Sequence, residues 1–217
     1  KKAEEAAIER RERMDRIKEM RKAGFPESDM ADWSFEHDDH GNEKITNVCK
    51  NYLDHFDEFF EKGKGLVFYG PVGTGKTFYA ACIANALIDR GHPCLVTDFA
   101  RLVNTISGMY AGKQDYIDGL NKFDLLVLDD LARERNTEYM NEIVQNIIDS
   151  RYRAGLPTIV TTNLTAAEMK NPKEIHKQRI FSRILEMCVP VPVEGNDRRR
   201  IKSKADYQDM KDILGLE

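Results

Sequence analysis

Short apolar runs alternate with stretches of helical periodicity from residue 65 onward. Gly65–Tyr69 is apolar throughout and ends on a glycine-rich loop, after which Thr77–Asp89 predicts a helix with Gly91 as its stop. A strand at Cys94–Thr97, a helix at about 99–111 and a strand at Leu125–Leu128 follow. The pattern then predicts a long helix at about 137–154 closed by Gly155, and a strand at Thr158–Thr162. Segment 173–187 reads as a further helix. Val189–Val193 reads as a last strand, which Pro190 and Pro192 confine to an edge or a bend. Strands that are short and apolar on both faces, separated by helices, indicate a parallel sheet covered on both sides. The fold class is therefore α/β, with no internal repeat and no low-complexity segment.

The first residues follow another grammar. Positions 1–22 are dense in Lys, Arg and Glu, with Ala3, Ala7, Ile8, Met14, Ile17 and Met20 at roughly helical spacing, until Gly24 and Pro26 stop the pattern. Two readings fit: a solvated helix supported by i,i+4 charge pairs, or a linker helix that docks a partner. Residues 1–32 are taken as a charged helix and linker, and 33–217 as the α/β domain.

Composition narrows the class. A chain of 217 residues suits one α/β domain with a shorter appendage. With 41% hydrophobic and 32% charged residues the expectation is an ordinary soluble, cytoplasmic protein. The net charge of −4 argues against a surface coated in basic residues to grip duplex DNA, but leaves a local nucleic-acid groove open. Cys49, Cys82, Cys94 and Cys188 are scattered, show no metal-ligand spacing and fit a reducing cytosol. No apolar run approaches the roughly 20 residues that span a bilayer, and no membrane partner is expected. The chain starts at Lys1 rather than Met, so its first residue says nothing of what precedes it.

Chemistry concentrates at the end of the first apolar run. Gly70-Pro71-Val72-Gly73-Thr74-Gly75-Lys76-Thr77 matches G-x-x-x-x-G-K-T between a strand and a helix, the context that the phosphate-loop motif requires. The glycines let backbone N–H groups turn inward as a nest for phosphate oxygens. Lys76 supplies a compact positive charge for the β- and γ-phosphates, Thr77 a hydroxyl for Mg²⁺, and the helix start its dipole and unpaired N–H groups. These eight residues, with Phe78 next in the chain, are the candidate contacts to ATP.

Phe123-Asp124-Leu125-Leu126-Val127-Leu128-Asp129-Asp130 is an apolar strand that ends in two carboxylates. A parallel strand delivers its C-terminal end to the edge where open α/β sheets bind ligands. Asp129 is the candidate Mg²⁺ ligand, acting through a water, and Asp130 the group that orients the water attacking the γ-phosphate. Asn163, in Thr161-Thr162-Asn163 at the end of the next strand, is either a sensor that bonds that water and the γ-phosphate or a cap for a helix beginning near Thr165.

Together with Gln178-Arg179-Ile180-Phe181-Ser182-Arg183 and the approach through Trp33-Ser34-Phe35, these stretches resemble the AAA+ family, and within it the replicative helicase loaders of the DnaC/DnaI type. The resemblance covers about 33–200. It implies a five-stranded parallel sheet flanked by helices with a reduced C-terminal lid, a hexameric DnaB-type replicative helicase as partner, and single-stranded DNA. It also implies an arginine finger at Arg179 reaching the ATP of a neighbouring copy, with Arg183 one turn on. Arg200 corresponds to the second sensor, which touches the subunit's own nucleotide. The segment Asp98–Asn104 resembles the insertion helix that lines a single-strand path, with Arg101 and Lys113 as phosphate contacts; an ordinary amphipathic helix fits the same pattern.

The sequence departs from the family in two places. Asp130 stands where many AAA+ ATPases carry Glu, one methylene longer, and Leu131-Ala132-Arg133-Glu134-Arg135 lacks a glycine often found there, with Glu134 an alternative polar group. The leading function is an ATP-hydrolysing helicase loader. The alternatives are a transposition helper ATPase of the IstB type and a nucleotide-gated binding module with negligible hydrolysis.

Overall fold

The computed structural model describes residues 2–26, 29–38, 41–131, 137–198, 207, 210–211 and 213–214. The chain opens with helices α1 (Lys2–Gly24), α2 (Glu43–Asp54) and α3 (Phe56–Glu61). Strand β1 (Gly65–Tyr69), helix α4 (Lys76–Arg90), strand β2 (Cys94–Asp98) and helices α5 (Phe99–Ser107) and α6 (Lys113–Gly119) follow. The rest is β3 (Leu125–Leu131), α7 (Glu138–Ala154), β4 (Thr158–Thr162), α8 (Ala166–Lys170), α9 (Ile175–Met187) and β5 (Cys188–Pro192). The strands form one parallel sheet in the order β2-β3-β4-β1-β5. This is the five-stranded architecture expected, and the proline-bearing strand lies at its edge.

Strand alternation divides the core into two layers. Leu66, Phe68, Leu125, Val127 and Ile159 point to one face, where Ile83 and Leu87 of α4 and Cys49 and Tyr52 of α2 bury them. Val67, Leu126, Leu128 and Val160 point to the other, against Leu102 and Ile106 of α5, Ile143 and Ile147 of α7, and Phe181 and Ile184 of α9. The central strands are thus apolar on both faces over most of their length because each face has its own helical cover. The helix expected at about 99–111 stops at Ser107, and Gly108–Gly112 loops into the separate helix α6, where Ile117 supplies a buried anchor.

The charged N-terminal helix is anchored at its C-terminal end. Arg21 donates to the Ala31 carbonyl at 2.9 Å and to Asn85 Oδ1 on α4 at 2.6 Å, and pairs with Asp89. Asn85 in turn donates to the carbonyls of Met30 and Trp33, and Phe25 is buried in the core. The earlier turns of α1 are exposed.

A wholly buried cation stitches the sheet's other end. Arg151 of α7 donates to the carbonyls of Phe123 at 2.9 Å, Asp124 at 3.3 Å and Pro157 at 2.6 Å, joining the starts of β3 and β4. Burial pulls its pKa down to about 10, which leaves it charged at neutral pH. Arg151→Leu would strand those carbonyls without donors and should lower stability by about 3 kcal/mol or more. A urea unfolding midpoint unchanged by the substitution would contradict this role.

Candidate nucleotide site

The loop between β1 and α4 owes its shape to glycines in the left-handed region. Gly70 has φ 137° and Gly73 φ 80°. A Cβ on Gly73 would lie 2.0 Å from the Asp197 carboxylate, and one on Gly70 would lie 2.5 Å from the Val193 carbonyl. Only glycine fits beside the segment that follows β5. Helix α4 then begins after Gly75, also left-handed, with no side chain capping it. A helix start of this kind presents N–H groups and the positive end of its dipole to an anion. Buried Lys76 folds back over the loop, donating to the carbonyls of Gly70 at 2.9 Å and Pro71 at 2.6 Å. Thr74 is likewise buried and donates to Pro71, while Val72 is exposed.

Parallel pairing brings the acidic strand to the same end of the sheet. Thr77 Oγ1 lies 2.9 and 3.1 Å from the two carboxylate oxygens of Asp129. Thr161 on β4 donates to Asp129 Oδ1 at 2.5 Å and accepts from the Asp130 N–H at 3.0 Å. Burial raises the pKa of Asp129; the Thr161 and Thr77 hydrogen bonds oppose the rise, and the charges of Asp130 and Asp98 add to it. Asp130 is the one non-glycine residue with positive φ, 57°, among those described. Asn163 is half-buried at the end of β4 and takes no part in capping. The cap of α8 is Thr165, in a reciprocal box with Glu168, so the capping alternative for Asn163 is set aside.

The remaining candidates lie apart. Phe78 turns its ring toward Trp33 at 5.8 Å and Tyr79 at 5.5 Å, packing the N-terminal segment onto α4. Arg179 is exposed on α9, beside an open groove of about 590 Å³ lined by Gln145, Asp149, Gln178, Ser182 and Arg183. Arg183 is held within the chain by Asp149 at 3.6 Å, Glu186 at 3.2 Å and the Tyr152 ring at 4.4 Å. On α5, the Arg101 N–H donates to Asp98, the helix cap and register partner of Asp129. Lys113 contacts the Tyr139 hydroxyl at 2.8 Å, and Tyr110 on the intervening loop is fully exposed. Arg200 and Glu134 lie outside the described residues. All four cysteines are buried and free, with the thiol of Cys82 pushed up to about 12 by burial, so none is a poised nucleophile.

A family model described as IstB-like ATP binding protein matches residues 2–206. The chain belongs to this family. The replicative helicase loader DnaI of Bacillus subtilis (strain 168) is 26% identical over 167 residues, 71% of this chain and 52% of that protein. The replicative helicase loader DnaC of Buchnera aphidicola subsp. Schizaphis graminum (strain Sg) is 30% identical over 144 residues, 64% of this chain and 56% of that protein. A crystal structure of DnaI superimposes with a TM-score of 0.58 at 26% identity, covering 83% of this chain and 92% of that one. This IstB-like chain is thus a P-loop AAA+ protein of the DnaC/DnaI type. It spans about half the length of the curated relatives it matches.

Two residues of the IstB-like site escape the sequence reading. Arg198 lies against the phosphate loop: its N–H donates to the Gly73 carbonyl at 2.9 Å. Its guanidinium reaches the Tyr79 hydroxyl at 3.0 Å and buried Asp38 at 3.5 Å, while Thr46 holds the second oxygen of Asp38 at 2.5 Å. Asp38 carries no local signal, because its partners are 8 and 160 residues away in sequence.

Asp129→Asn removes a carboxylate whose ionised form burial disfavours. In metal-free buffer at pH 7 the variant should melt about 2–4 °C higher, the shift that about 1 kcal/mol gives a chain of this size. The gain should shrink as pH falls through the raised pKa of Asp129, where the wild-type carboxyl also becomes neutral. A melting temperature below wild type at pH 7 would contradict this.

Proposed function

We propose that this chain is the ATPase portion of a replicative helicase loader, a cytoplasmic protein that uses ATP and Mg²⁺ to help place a DnaB-type hexameric helicase on single-stranded DNA. The observation that carries the nucleotide half of this reading is the meeting of Thr77 and Asp129, 2.9 Å apart, beside an uncapped helix start. Loop amides and Lys76 hold the triphosphate. Thr77 and Asp129 would hold the metal: they are hard oxygen donors, and no cluster of three or more His, Cys, Asp or Glu forms a protein cage among the described residues. That donor set suits Mg²⁺, which completes its shell with water and phosphate oxygens. When bound, the ion neutralises charge on the β- and γ-phosphates. Asp130 orients the attacking water and the Asn163 amide bonds it and the γ-phosphate.

Self-association completes the site. Exposed Arg179 is free of the ion pairs that hold Arg183, and so is the finger that crosses to a neighbouring copy's ATP. Arg200 is kept as a second-sensor candidate, with Arg198 now beside it. For single-stranded DNA, Arg101 and Lys113 supply cations and exposed Tyr110 and Tyr139 supply stacking faces, a combination that holds any sequence. The helicase as client is supported by the relatives named replicative helicase loader. The IstB-like family model supports the second reading, a transposition helper acting with another client.

Lys76→Ala should abolish ATP binding by calorimetry, and unchanged affinity would overturn the site. Arg179→Ala should leave that affinity intact yet cut turnover at least about 10-fold where the protein self-associates, with no loss at high dilution. Turnover that stays at the wild-type level in the assembled state would remove the finger.

A further inference from the structure

The register of β3 against β4 breaks between Leu128 and Leu131, at the acidic pair. Leu128 pairs with Val160, and the ladder resumes only at Leu131 with Thr162, whose hydroxyl donates to the Leu131 carbonyl at 2.8 Å. Between these points the backbone of Asp130 is left-handed, φ 57°, a conformation uncommon for any side-chain-bearing residue. The Asp130 N–H, turned out of the regular ladder, goes to Thr161 Oγ1 at 3.0 Å. The single hydrogen of that hydroxyl goes to Asp129 Oδ1 at 2.5 Å. A hydroxyl has one donor and two lone pairs, so these two bonds use its donor and one acceptor site. Thr161 is 0% exposed, which leaves no room for water to replace it.

We propose that Thr161 is a positioning residue for nucleotide hydrolysis, one hydroxyl fixing both members of the acidic pair. It orients the Asp129 carboxylate toward Thr77, where the metal is to be held, and pins the turn from which the Asp130 side chain departs. Thr161 itself touches no reacting atom. The proposal rests on the reading of the site as an ATPase centre and adds to it the residue that sets its geometry. It also bears on the shorter Asp130 carboxylate, since the bulge changes the point from which that side chain starts.

Thr161→Val keeps the shape and volume of the side chain and deletes the hydroxyl. Steady-state hydrolysis by the full chain, titrated with ATP and with MgCl₂, should show kcat down about 10- to 100-fold and a raised half-saturating Mg²⁺ concentration. Metal-free affinity for ATP should change by less than about 3-fold, because the phosphate loop is untouched. Thr161→Ser should recover most of the turnover. A role in packing alone gives the reverse order, with Val near wild type and Ser impaired, and that order would overturn the proposal. Should the Val variant fail to fold, Thr161→Ala against Thr161→Ser makes the same comparison: Ser faster supports the proposal, equal rates overturn it. A wild type that binds no ATP overturns the underlying reading and this proposal with it, whereas an active wild type matched by Thr161→Val overturns the proposal alone.

Discussion

The carboxylate of Asp129 accepts hydrogen bonds from Thr77 at the start of α4 and from Thr161 on β4, and so ties three separately encoded elements together. A half-buried carboxylate at the end of a strand is costly to ionise unless hydroxyls reach it. Here burial still outweighs both hydrogen bonds and leaves its pKa raised. A cation beside the carboxylate would offset that burial penalty, and the same contacts join Thr77, on the helix that follows the phosphate loop, to the acidic strand.

Sheet topology explains why those elements can meet at all. Parallel pairing in the order β2-β3-β4-β1-β5 brings all C-terminal strand ends to one edge, although β1 and β3 are not adjacent. Strand β4 lies between them, which is why a residue of β4 reaches the acidic pair. At the opposite edge Arg151 satisfies carbonyls from the starts of β3 and β4. One end of the sheet is closed by a buried guanidinium, and the other is open for a ligand.

Much of this was legible in the residues. The four strands β1 to β4 announced themselves as apolar runs, because a strand covered on both faces has little polar alternation to obscure it. Gly91 and Gly155 marked helix ends, and both adopt the left-handed conformation there. The phosphate loop and the acidic pair were readable because their chemistry depends on residues close in sequence. Helix α2 carried a usable signal, with Ile45, Cys49, Tyr52 and Leu53 buried at helical spacing, but its polar surroundings left it unassigned. The bulge at Asp130, the cluster of Asp38 with Arg198 and the web around Arg151 were not readable. Each depends on contacts between distant segments that no local pattern encodes. Thr165 displaced Asn163 as the cap for a similar reason: the reciprocal bond from Glu168 decides, and either residue type caps well alone.

The central claim is that amides, a lysine and a carboxylate converge on a metal-bound triphosphate at this edge of the sheet. The most direct measurement is a crystal structure with a non-hydrolysable ATP analogue and Mg²⁺. The account expects Lys76 to leave the carbonyls of Gly70 and Pro71 for the phosphates, and the ion to lie between Thr77 and Asp129. Analogue bound elsewhere, or a metal with no ligand or water-bridged contact from either residue, would contradict it.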